Sequence, residues 1–110
     1  MGAWDDEDMA YADALSAEEV EDKLRELPEW EVEEGRTLRR TYRLPHLPAA
    51  IFAVHVAEIQ AELNHHSDLT LGYDTLAVAI TTHAAGGRLT GKDFGLAARI
   101  DAVAPAHGAQ

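Results

Sequence analysis

Apolar residues recur at helical spacing in three stretches of this chain and at every second position in two others. Val20, Leu24 and Leu27 form the first helical set, opened by Ser16-Ala17-Glu18-Glu19, a capping box in which Ser16 and Glu19 satisfy each other's backbone donors. Pro28 should end that helix. Trp30 and Val32 then alternate with acids, Glu34-Gly35 marks a turn, and Leu38, Arg40, Tyr42 and Leu44 alternate again, which predicts a first hairpin closed by Pro45 and Pro48. From about Leu47 the period changes. Ile51, Val54 and Glu58 fall on one side of a long helix and Phe52, Val56, Ile59 and Leu63 on another, giving two apolar stripes. One stripe has a sheet to cover; the other needs a partner, either a second copy of the chain or the remaining helix.

A second hairpin follows. Leu69 and Leu71, then Leu76, Val78 and Ile80, alternate around a break at Gly72-Tyr73-Asp74-Thr75. After Gly86-Gly87-Arg88, a second capping box, Thr90-Gly91-Lys92-Asp93, opens a final amphipathic helix carrying Phe94, Leu96, Ala97, Ile100 and Val103, which Pro105 should end. The order α-β-β-α-β-β-α predicts an α+β fold: a four-stranded antiparallel sheet with helices packed on one face. Residues 1–14 read as an acidic, loosely ordered arm, 15–104 as a single domain, and 105–110 as a frayed end.

Composition narrows the function. The 110 residues contain no cysteine, so thiolate catalysis and cysteine-ligated zinc are excluded. A formal net charge of -11 argues against unaided nucleic-acid binding, because phosphate contacts need clustered Lys and Arg. Fourteen of the twenty acids precede residue 35, which reads as a solvated face and tail rather than a docking surface. No apolar run is long enough to span a membrane, and the first residues are acidic where a secretory signal would be basic, so a cytoplasmic location is expected.

The candidate chemistry lies in Glu62-Leu63-Asn64-His65-His66-Ser67 and in Thr81-Thr82-His83. In an antiparallel hairpin the entrance of the first strand lies beside the exit of the second, so His65 and His66 are expected near His83. Histidines titrate near neutrality and suit a reaction that both gives and takes a proton. A zinc site from His65, His83 and Glu62 is the weaker alternative, because adjacent histidines lack the one-turn spacing that puts two ligands on a helical face. Asp93 is explained by helix capping, a structural role. Ser67 has no elbow glycines to make it a nucleophile.

His65-His66-Ser67, then Tyr73, His83 and Asp93, together with Thr81-Thr82, Gly86-Gly87, Leu89-Thr90 and Leu96-Ala97, resemble the pterin-4a-carbinolamine dehydratase family from about Leu15 to Val103. Ser67 stands where that family usually has proline. Glu62 lies three residues before His65 where the family has an acid at four, as if one residue were missing between them. The resemblance implies a hydro-lyase that removes water from 4a-hydroxytetrahydropterin, with His65 and His83 exchanging protons. It implies His66, Glu62 and Thr82 as substrate-binding residues, with Asp93 and Ser67 structural near the site. No metal or organic cofactor is implied. The partners implied are a pterin, a second copy of the chain in a homodimer or homotetramer, and a functional link to an aromatic amino acid hydroxylase. The alternative is a non-catalytic relative that kept the fold and acts as a binding or assembly partner.

Overall fold

A computed structural model describes residues 13–82 and 86–110. Its elements are α1 (Ala17–Leu24), β1 (Glu31–Glu33), β2 (Thr37–Arg43), α2 (His46–Leu63), β3 (Ser67–Leu71), β4 (Thr75–Ile80) and α3 (Gly91–Val103), followed by a 3₁₀ turn, Ala104–His107. This is the α+β order expected from the apolar pattern. The arm expected at 1–14 lies almost wholly outside the described residues, and so does His83.

Local chemistry fixes the ends of the elements. Ser16 and Glu19 form the capping box of α1, with the Glu19 amide donating to Ser16 Oγ at 3.1 Å and the Ser16 amide donating to Glu19 Oε1 at 2.9 Å. At the first hairpin, Glu34 and Gly35 both adopt positive φ, at 53° and 70°. They are the central residues of a β-turn in which the Arg36 amide donates to the Glu33 carbonyl at 3.1 Å, within a three-residue loop between the paired Glu33 and Thr37, and glycine at the second centre removes the Cβ that would resist a positive φ. Pro48 does not stop the chain from becoming helical; it sits in the first turn of α2, where its missing amide proton has no intrahelical partner to lose. Helix α2 ends at Asn64, whose φ of 51° turns the chain sharply into β3.

The four strands are antiparallel in the order β1-β2-β4-β3, with Leu38 opposite Ile80, Tyr42 opposite Leu76, and Leu69 opposite Val78. Alternation therefore places Leu38, Tyr42, Leu76, Val78 and Ile80 on one face, where Phe52, Val56 and Ile59 of α2 and Leu96, Ala97 and Ile100 of α3 complete a buried core. Tyr42 meets Phe52 edge to face at 5.0 Å between ring centroids. Leu71 shares the alternation yet stays exposed, because β3 is the edge strand and has a neighbour on one side only.

Among the described residues nothing covers the second stripe of α2: Leu47, Ile51 and Val54 are 68%, 53% and 62% exposed. The remaining helix does not reach it.

The frayed end expected at 105–110 is corrected by the structure. Arg43 and Gln110 exchange both backbone hydrogen bonds, at 2.8 and 3.0 Å, so the last residue extends the ladder of β2. His107 stacks on Phe52 and bonds through Nε2 to Nδ1 of His55 at 2.8 Å. A terminal carbonyl and amide beside a strand end are paired as any strand's would be, and this is a long-range relation that composition does not carry.

A second long-range cluster centres on Asp101 of α3. Trp30 Nε1 donates to its Oδ1 at 3.0 Å and Arg40 Nη1 at 2.9 Å, and the Tyr42 hydroxyl donates to the same oxygen. Arg40 also lies over the Tyr42 ring, 4.2 Å from its centroid. Arg40 points to the core face of β2, and this carboxylate and ring are what make an arginine tolerable there.

Candidate active site

The site is built where α2 runs out, β4 ends and α3 begins. The turn after Asn64 brings His65 beneath the start of α3, and the register that sets Ser67 opposite Ile80 carries Thr82 alongside it. His65 is 9% exposed and Asp93 0%. The His65 Nε2–H donates to Asp93 Oδ1 at 2.7 Å.

Asp93 is held from the other side. Its Oδ2 accepts the backbone amide of Thr90 at 2.7 Å, closing the capping box of α3, and the hydroxyl of Thr82 at 2.8 Å. The Thr82 and Thr90 hydroxyls are 3.0 Å apart. One carboxylate oxygen thus serves the helix and the end of β4, while the other serves His65. The expectation that capping alone explains Asp93 is half of its role: a cap uses one oxygen, and the second is free to orient a ring.

That bond orients the His65 ring. With Nε2 carrying the proton shared with Asp93, Nδ1 is left as the ring atom able to take a proton or, once protonated, to give one.

The turn itself is tied to Gln60. The His65 amide donates to the Gln60 carbonyl at 3.0 Å, and the Ser67 amide donates to Gln60 Oε1, also at 3.0 Å. The Ser67 hydroxyl donates to the same side-chain oxygen.

Of the other residues singled out from sequence, His66 is exposed beside His65. Glu62 is exposed and its Oε2 lies 2.7 Å from Arg99 Nη2 of α3. Thr82 is buried with its hydroxyl proton donated to Asp93. Tyr73 lies out on the β3–β4 turn, stacked on His46 at 6.1 Å between centroids. Among the described residues, no group of three His, Asp or Glu side chains is arranged to hold a metal ion. The structure adds Gln60 and Thr90 to the site; Thr90 was visible as a cap, whereas no spacing rule ties the Gln60 side chain to Ser67.

Comparison with known proteins agrees with this arrangement of elements. The family model described as pterin 4 alpha carbinolamine dehydratase matches residues 13–103. A Streptomyces coelicolor protein provisionally named pterin-4-alpha-carbinolamine dehydratase is 54% identical over 99 residues, covering 89% of this chain and 97% of its own length. A Chloroflexus aggregans protein of the same provisional name is 44% identical over 90 residues, covering 81% of this chain and 95% of its own. Among solved structures, a Brucella melitensis protein titled transcriptional coactivator/pterin dehydratase superposes with a TM-score of 0.76, covering 82% of this chain and 97% of its own; at 24% identity it speaks for the fold. With the family model spanning most of the chain and relatives this similar along nearly their whole length, the chain belongs to the pterin-4a-carbinolamine dehydratase family.

Proposed function

We propose that this protein is a hydro-lyase that dehydrates 4a-hydroxytetrahydropterin to quinonoid dihydropterin. The observation that carries the reading is the buried His65–Asp93 pair, which presents an oriented imidazole with Nδ1 as its working atom. Family membership supplies the substrate class.

The reaction needs two proton transfers. The bond between C4a and the hydroxyl oxygen breaks, the departing oxygen takes a proton and leaves as water, and N5 gives up its proton as the C4a–N5 double bond forms. A general acid and a general base are required together, and a histidine can serve as either near neutral pH. His65 and His83 exchange these two protons, and His66 holds the pterin. Thr82 acts through Asp93, since its hydroxyl proton is already donated there. A pterin contact by Glu62 would have to replace or share its bond to Arg99. The reaction calls for no metal or organic cofactor, and its place is pterin recycling after an aromatic amino acid hydroxylase.

The uncovered stripe of Leu47, Ile51 and Val54 supports self-association through α2 as a homodimer or homotetramer. The assay that tests the activity mixes freshly generated carbinolamine pterin with the protein. Dehydration well above the uncatalysed rate is expected; a rate equal to the buffer's would leave the family fold without this chemistry.

A further inference from the structure

We infer that Gln60 is a positioning residue for the proposed dehydration, acting through Ser67 to hold the turn that presents His66. This rests on the dehydratase reading of the site. Gln60 is 7% exposed and occupies the last turn of α2, where a polar side chain has no reason to be buried unless it is bonded. Three hydrogen bonds from this one residue span the turn. Its main-chain carbonyl accepts the amide of His65, and its side-chain Oε1 accepts both the amide and the hydroxyl of Ser67. An amide N–H can only donate, so the bond from Ser67 fixes Oε1, rather than Nε2, toward the turn.

The two histidines differ in what this clamp means to them. His65 has a second anchor, because Asp93 grips its ring from α3. His66 is exposed, lies between the residues that receive the two ends of the clamp, and forms no hydrogen bond with the other described side chains. Loosening the clamp therefore frees His66 while the His65 ring stays on Asp93. If His66 holds the pterin, the consequence is weaker substrate binding with the proton transfers largely intact. Proline at position 67 could supply neither the amide nor the hydroxyl, so in this chain the hold on the turn comes from Gln60 and Ser67 together.

Gln60→Leu keeps the side chain's bulk and removes the acceptor. Expected is a KM raised about tenfold with kcat lowered less than about threefold, the signature of lost binding rather than lost transition-state stabilisation. Gln60→Glu keeps an oxygen for both Ser67 donors and should restore KM to within about threefold of the unmodified protein. Ser67→Ala, which retains the amide and loses the hydroxyl, should move KM in the same direction by a smaller factor, and it serves if Gln60→Leu does not fold. A second readout needs no turnover: in NMR spectra of the histidine rings, Gln60→Leu should shift and broaden the His66 signal and leave the His65 signal near its place. Failure of the unmodified protein to dehydrate carbinolamine would remove the dehydratase reading and leave the ring signals to test the clamp. A folded Gln60→Leu or Ser67→Ala protein with unchanged KM and an unmoved His66 signal would overturn the proposal, as would a Gln60→Glu protein that behaves like Gln60→Leu.

Discussion

The Nε2 atom of His65 lies 2.7 Å from Oδ1 of Asp93, a buried bond between residues 28 positions apart in the chain. It joins the end of one helix to the beginning of another and assigns Nε2 of His65 to Asp93. Asp93→Asn tests this. An asparagine oxygen can still accept the Thr90 amide, so the cap should weaken by only about 1 kcal/mol. The asparagine amide, however, donates where the carboxylate accepted, which drives the His65 proton from Nε2 to Nδ1. Turnover should fall at least about tenfold in a protein that remains folded. Unchanged turnover would return Asp93 to a purely structural role.

Thr82→Val separates support of the carboxylate from contact with substrate. Valine has the same shape and removes the donor to Asp93 Oδ2. A hydrogen bond to a charged group contributes about 1.5–3 kcal/mol, so thermal unfolding should drop by several degrees. The proposal for Thr82 expects kcat to fall while KM moves little; a rise in KM alone would make Thr82 a substrate contact.

Alkaline stability should report on Tyr42. Burial, and then its hydrogen bond to Asp101, push the phenol well above its ordinary value. In the unfolded chain a tyrosine ionises near pH ~10, while the folded protein keeps Tyr42 neutral. The stabilisation from the neutral phenol is therefore complete below about pH 10 and is lost as the pH rises beyond it, by up to about 1.4 kcal/mol per pH unit. Denaturant titrations at rising pH should show this limb, and Tyr42→Phe should flatten it. An equally steep limb in the phenylalanine variant would assign the effect to another group.

Self-association through α2 is tested by light scattering. The chain's mass is 12.0 kDa, and the expected particle is a small multiple of that. Val54→Asp, which places a charge in the middle of the uncovered stripe, should shift the particle to a monomer with its fold intact. A monomeric unmodified protein at micromolar concentration would leave Leu47, Ile51 and Val54 as an exposed patch with no role in assembly.

Much of this was legible in the chain because it is local. Leu76, Val78 and Ile80 announce an inner strand by alternation, Ser16 and Glu19 announce a helix start, and the two stripes of α2 show at once that only one can be spent on the sheet. What escaped is carried by distance along the chain. Three donors from Trp30, Arg40 and Tyr42 converge on Asp101 across separations of 59 to 71 residues, and no spacing rule links them. Gln110 looked like a loose end because nothing in a polar terminus names the strand it will pair with. Asp93 is the instructive case. Its capping role accounts for one carboxylate oxygen, and that local explanation hid the second oxygen's bond to His65.

The measurement closest to the central claim compares carbinolamine dehydration by the unmodified protein with that of the His65→Ala and His83→Ala variants and their combination. Each single change should slow turnover by roughly a hundredfold or more, since each removes one proton carrier. The double variant, shown folded by circular dichroism, should leave only the uncatalysed background, and chelators should alter none of these rates. A folded double variant that dehydrates the carbinolamine at the unmodified protein's rate would contradict the assignment of acid and base to these histidines.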